Sequence, residues 1–304
     1  MFIALLATDP AQAQVPQHRI SYVSSVGTGA ACTLTAPCLD FGLAQAATVP
    51  NGEIHCLDSG NIGGATITKS ITIDCAGFAT VTDFIIVNAP AIIVTIRNLT
   101  VSGVSGFSTG IQFQDGAALL VENCVLENYN FNANSAGIRF QPSATSTKLV
   151  VTNTVFRNNG SGSTGGGIVV KPQSGGSAQV VLDRVSIDKN VFGIVADGTG
   201  SIVGINMTIT DSVTSGNLND GIVATTPSGG APIGVMVTDT KTVNNGFGIR
   251  SIGPNVTVRV DRSKIIGNST GLSFSNGGGL LTFGNNAVQA NGINGAFSGP
   301  VGLQ

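Results

Sequence analysis

The chain has 304 residues, with 14 lysines and arginines against 16 aspartates and glutamates, five cysteines, 42 glycines and no tryptophan. Charged residues make up only 10% and hydrophobic ones 42%, which excludes a disordered polyampholyte and leaves material for a long, dry core. The formal charge of -2 is spread over singly placed lysines and arginines, so there is no basic stripe to displace counterions and no nucleic-acid partner is expected.

In chain order, the apolar run Phe2 to Ala7 is too brief to span a bilayer, and Ala11-Gln12-Ala13 has the small-x-small spacing of a signal-peptidase site. Residues 1–14 therefore read as a leader remnant and 15–304 as one domain, secreted, periplasmic or cell-surface, with no membrane span. Cysteine usage agrees with an oxidising compartment. Cys32 and Cys38 flank Pro37 closely enough to clamp a loop, while Cys56 and Cys75 fall in successive predicted strands and can bridge neighbouring turns, although spacing leaves the connectivity open. Cys124 is left over and reads as a small buried hydrophobe. A helix is predicted over Cys38 to Thr48, with Thr35 and Pro37 suiting its start and Leu39, Leu43, Ala46 and Ala47 on one face. Its expected role is to cap the first edge of the fold, within a region of about residues 20–50.

The remainder is repetitive. A glycine followed by Ile or Leu recurs at Gly110, Gly137, Gly167, Gly193, Gly221, Gly248 and Gly271, in steps of 27, 30, 26, 28, 27 and 23 residues. The units are rich in Val, Ile, Thr, Asn and Gly with period-two alternation, which favours strands over a helical repeat. Each contains strand, polar corner and strand, as in Val121-Glu122-Asn123-Cys124-Val125-Leu126. The corner column reads Cys75, Asn98, Asn123, Asn153, Arg184, Asp211, Asp239, Arg262 and Asn285. Asn and Asp tolerate positive φ there and can form a ladder. Three strands per coil and about nine or ten coils predict an all-β, right-handed parallel β-helix, with inward residues from Ile111 and Phe113 to Leu272 and Phe274.

Several outward residues carry possible chemistry. Arg139, Lys171 and Asp197 are expected on three consecutive coils of one face. There Lys171 has the chemistry of a metal-free base and Arg139 that of a partner for a substrate carboxylate, against the plainer reading of a solvated surface. Asp211 and Asp239 are the weak candidates for a cation site. With Arg184 and Arg262 they read more simply as charge pairs that hold register, as do Arg97 beside Glu122 and Glu127 with Arg157. No cofactor is implied by the sequence, and calcium stays an open alternative that no ligand cluster supports. His18 and His55 show no carboxylate partner in the sequence. Val169, Val195 and Val223 align as an expected exposed apolar stripe, a candidate for self-association or a covering loop. The loops around Tyr129 and from Gln173 to Ala178 are placed to shape a groove beside Arg139 and Lys171.

The segments Tyr22-Val23-Ser24-Ser25, Thr35-Ala36-Pro37-Cys38, Gly52-Glu53-Ile54, Leu57-Asp58-Ser59-Gly60 and Thr66 to Ile73 resemble the start of uncharacterised exported bacterial β-helix proteins of the pectin-lyase-like superfamily, over roughly residues 20–75. Beyond them the coil pattern and asparagine column carry the resemblance. It implies the fold, and it implies that chemistry, where present, sits on the outward face of the Gly-Ile strand. The superfamily includes pectate lyases, polygalacturonases and non-enzymatic members. This sequence lacks the clustered carboxylates of calcium-dependent lyases and the NTD, DD and HGH signatures of polygalacturonases. The expectation is an exported scaffold that binds glycan or self-associates, with a polysaccharide lyase acting on acidic glycans as the alternative.

Overall fold

Period-two alternation of β-branched residues winds the chain into a parallel β-solenoid of about ten turns, with three sheets and very little helix. The computed structural model describes residues 17–302 apart from 105, 163 and 164; the expected leader lies outside them. The sheets contain twelve, nine and nine strands, and each strand pairs in parallel with its counterpart one coil away. Strands of the second sheet are short, for example Val125–Glu127, Val155–Arg157 and Ser186–Asp188, with one residue inward.

Like residues stack inside. In the third sheet Ile85, Ile111, Ile138, Ile168, Ile194, Ile222, Ile249 and Leu272 form one buried column. Phe113 and Phe140 stack beside it with ring centroids 4.5 Å apart. Each such side chain contributes roughly 1.5–3 kcal/mol on burial. Phe274, expected inward, is instead half exposed, because it lies on the third sheet's last strand and no further strand covers it.

The helix spans Phe41–Ala47 and starts later than the sequence suggested. Asp40 is the N-cap, its carboxylate accepting from the Leu43 amide at 2.7 Å, and this shifts the buried face to Phe41, Ala44 and Ala47 while Leu39 and Leu43 stay exposed. The helix packs against strand Thr48–Cys56, and a loop clamped by the Cys32–Cys38 disulfide pairs with the outer edge of His18–Val23. A second disulfide joins Cys56 to Cys75 on consecutive coils. Both fit an oxidising compartment. No helix among the described residues is long and apolar enough to cross a membrane.

The polar corner column holds left-handed backbone at Asn98, Asn123, Asn153, Arg184, Asp211, Asp239 and Arg262, both arginines included. At its ends the left-handed residue moves by one, to Ala76 instead of Cys75 and to Gly284 instead of Asn285. These side chains bond from coil to coil at the surface, as where Asn123 Nδ2 donates to Asn98 Oδ1 at 2.7 Å. The anticipated charge alternation is only partly present. Arg262 pairs with Asp239 at 2.7 Å, but Arg184 turns to Asp183 and Asn153 in place of Asp211, and Arg97 pairs with Asp74 in place of Glu122.

The buried ladder lies at the next corner, in residues the sequence reading passed over: Asn159, Asn190, Asn217, Asn245 and Asn268, with the partly exposed Asn291 at its end. The Oδ1 atoms of Asn190, Asn217, Asn245, Asn268 and Asn291 each accept from the backbone amide of the asparagine one coil earlier, at 2.9–3.0 Å, and Asn159 Oδ1 accepts from the Tyr129 amide at 3.2 Å. Each buried Nδ2 donates to a backbone carbonyl, for example Asn217 to Ile187 and Asn245 to Thr214. Every ladder residue follows a left-handed one, namely Asn158, Lys189, Gly216, Asn244, Gly267 and Ala290, and that turn swings the next side chain inward. Removing one rung strands buried donors and acceptors at roughly 1–3 kcal/mol each. Asn217→Ala is therefore expected to lower unfolding stability by about 2–4 kcal/mol in a urea titration; a change below about 0.5 kcal/mol would contradict the ladder's structural role.

Candidate functional site

The buried asparagine corner leads directly into the third-sheet strands, so its register decides which outward side chains become neighbours. One column runs Gln112, Arg139, Val169, Val195, Val223, Arg250 and Ser273, as the repeat predicted. Arg139 and Arg250 stand four coil steps apart, roughly 19 Å along the axis at about 4.8 Å per step. Beside this column lie Lys171, Asp197, Thr225 and Ile252. Together with Phe192 and Asn134 they line a groove of about 270 Å³, near the lower end of the roughly 300–1,000 Å³ typical of ligand clefts.

The valines form the floor of this groove. Val169 and Val223 are only 3% and 4% exposed, so the open apolar stripe expected from sequence is instead walled by the flanking side chains. The Gln173 to Ala178 loop contributes none of the residues lining the groove. Tyr129 is no aromatic platform either: it is fully buried, and its hydroxyl donates to the Asp83 carbonyl at 2.6 Å.

The three expected residues do come together. Lys171 Nζ lies 2.9 Å from Asp197 Oδ2, while Asp197 Oδ1 accepts from the Thr199 amide at 2.9 Å. Arg139 is different. Its Nη2 is buried without a hydrogen-bond partner among the described residues, and burial lowers its pKa from the ordinary guanidinium value. A guanidinium stays charged in proteins, so the groove contains a partly desolvated cation with no ion-pair partner among the described residues.

The sequence reading missed a further pair. Asp220 occupies the column Phe192, Asp220, Phe247 at the start of these strands and is completely buried. Its Oδ2 is held by Arg250, which crosses the Phe247 ring with its guanidinium carbon 4.3 Å from the centroid. Among the described residues, Asp220 Oδ1 and Arg250 Nε have no hydrogen-bond partner. Burial pushes the Asp220 carboxyl up to about 6, against the downward pull of Arg250. The available signal was an aspartate in a column otherwise occupied by Ala136, Gly166, Phe192, Phe247 and Thr270.

The other candidates remain separate from the groove. Asp239 is held below the ordinary carboxylate range chiefly by hydrogen bonding from Arg262, and no third acidic ligand joins it and Asp211. Among the described residues no group of three or more His, Cys, Asp or Glu side chains is placed to hold a metal. His55 does have a carboxylate partner, contrary to the sequence reading: Glu53 lies 2.9 Å away on the half-exposed surface of the same strand. Cys124 is buried and unpaired, and burial pushes its thiol up to about 12, as suits an inert core residue.

No protein-family model matches the chain, and no curated protein matches it. Among solved structures it is similar to pectate lyase Pel9A, with 18% identity, a TM-score of 0.48, and coverage of 91% of this chain and 80% of that one.

Asp220 gives folding stability a pH dependence. Its folded carboxyl titrates near 6 and an ordinary aspartate near 3.8, so the folded state keeps a proton that the unfolded chain has lost. The resulting stabilisation is complete below about pH 4 and disappears as pH rises through about 6. Asp220→Asn is expected to remove this slope, on the order of 1–3 kcal/mol, from urea-unfolding stabilities measured between pH 4 and 7. An unchanged slope in the variant would contradict the assignment.

Proposed function

We propose that the protein is a β-helix scaffold that binds an acidic saccharide in the groove over Arg139, Val169, Val195 and Val223. The observation that carries this reading is the buried, unpartnered Nη2 of Arg139. A ligand carboxylate supplies the charge-assisted hydrogen bonds that the protein leaves unmade there. Of the charged side chains lining the groove, Arg139, Lys171 and Arg250 are cationic and only Asp197 is anionic, which favours a negatively charged ligand. The valine floor offers an apolar surface to the C–H face of a sugar ring, and the flanking polar groups meet its hydroxyls.

A second reading, a polysaccharide lyase, is favoured by the placement of Lys171 within the same groove as Arg139. In that reaction a base removes the proton next to the uronate carboxylate and the glycosidic oxygen departs, leaving an unsaturated uronate. Asp197 weakens this reading, because its carboxylate already engages Lys171 Nζ at 2.9 Å, the atom that would have to reach the substrate proton.

Calorimetry with uronate-containing oligosaccharides tests the first reading. Arg139→Ala is expected to weaken binding about tenfold to a hundredfold, corresponding to roughly 1.4–2.8 kcal/mol, while a neutral oligosaccharide of equal length binds neither protein. Unchanged affinity in the variant would overturn the proposed contact. Ultraviolet absorbance from unsaturated uronates, abolished by Lys171→Ala, would replace the binding reading with the lyase.

A further inference from the structure

Three features of the groove's far end belong together. Asp220 is fully buried between the column positions of Phe192 and Phe247, and its side-chain partner is Arg250. Arg250 also lines the groove, at the end opposite Arg139. Neither member of the pair is saturated: among the described residues, Asp220 Oδ1 and Arg250 Nε have no hydrogen-bond partner. A buried ion pair with unmet valences is poorly compensated for its desolvation, so its two halves separate more readily than those of a fully bonded pair.

The geometry points to a latch: Asp220 is a positioning residue that engages the guanidinium of the groove-lining Arg250, and protonation of Asp220 frees that guanidinium for a second anionic group of the bound saccharide. The inference rests on the reading of the groove as an anion site and adds to it how that site is regulated. At neutral pH Asp220 is ionised and competes with the ligand for the guanidinium. Below about pH 6 it is neutral, and Arg250 gains a ligand carboxylate in its place. Uronate carboxylates remain ionised there, since ordinary carboxyls titrate at about 3.3–4.3. A saccharide long enough to reach both Arg139 and Arg250 feels the switch, whereas one that contacts Arg139 alone does not.

Among the described residues, the elements packed against Asp220 leave it one charged neighbour, Arg250. The strand Phe247–Ile252 contributes Arg250, and Phe192–Asp197 contributes only Asp197, which is engaged by Lys171. Ile233–Thr238 has no titratable side chain, and Lys241 of Lys241–Val243 is solvent-exposed. On Val256–Asp261, Arg259 is exposed and Asp261 pairs with Arg262. Both histidines lie near the other end of the solenoid, His18 on its first strand and His55 on the strand that pairs with it.

The test has one arm without ligand and one with it. In nitrogen-15 spectra of the full chain, the Arg250 Nε–H signal is expected to shift between pH 5 and 8 with a midpoint near 6, and to be pH-independent in D220N. In calorimetry, a galacturonate hexamer is expected to bind the wild type about tenfold more tightly at pH 5 than at pH 7.5. D220N is expected to show the tighter affinity at both pH values. The double variant D220N/R250Q, which retains neutral hydrogen-bonding groups in the buried space, is expected to bind at the weaker affinity throughout. An Arg250 signal that does not move, or Arg139-dependent binding that is equally strong at both pH values, overturns the latch and leaves the groove reading standing. No hexamer binding at either pH overturns the groove reading, and the latch with it.

Discussion

The structure depends on coils remaining in register over their predecessors. Backbone hydrogen bonds between parallel strands allow stacking but do not choose a register, because a slip preserves most of them. The choice is made where side chains lock to the backbone of the next coil. Asn159 to Asn268 do this in the interior: each Oδ1 is fixed to an amide one coil back, and each Nδ2 is committed to a carbonyl. A slip would leave these groups unbonded in a dry core, so the polar ladder contributes specificity that the isoleucine stacks lack. It also fixes the corner from which every groove strand starts.

This constraint explains how a surface built from residues 139 to 252 acts as one site. Arg139, Lys171, Asp197 and Arg250 come from different coils and share no local motif, yet the stacking places them around a single floor. Their electrostatics differ from those of the other charged columns. Pairs such as Arg157 with Glu127 and Arg262 with Asp239 are exposed and matched, and they hold register cheaply. In the groove Arg139 is desolvated and unmatched, and Asp220 is buried with one oxygen idle. Such unmet hydrogen-bonding capacity on charged groups opposes folding, and at Arg139 it faces the groove, which is why the proposed reading places an anionic ligand there.

The repeat made much of this legible in the sequence. Glycine steps fixed the coil length, and alternation from each Gly-Ile pair placed Arg139, Val169, Val195, Val223 and Arg250 in one outward column, where the structure has them. Less visible was anything that depends on side-chain rotation or lateral cover. Two asparagine columns look alike in sequence, and the buried one is distinguished only by the left-handed residue before it, which rotates the next side chain inward. The valines read as an exposed stripe because the walls beside them come from side chains reaching across coils. Asp220 escaped notice because its significance lies in Phe192 and Phe247 above and below it, about 27 residues away in each direction along the chain. At the N-terminal cap, Thr35 and Pro37 mimicked a helix start, but the carboxylate able to reach a free amide is that of Asp40.

A crystal structure of the protein with a bound uronate oligosaccharide tests the central claim most directly, because it reports coil register and ligand position together. The saccharide is expected to run along the solenoid axis over Val169, Val195 and Val223, with one carboxylate against Arg139 Nη2 and the buried asparagines bonded in single-coil steps. A saccharide lying across another sheet, or coils offset so that Arg139 and Arg250 no longer share a column, would contradict it.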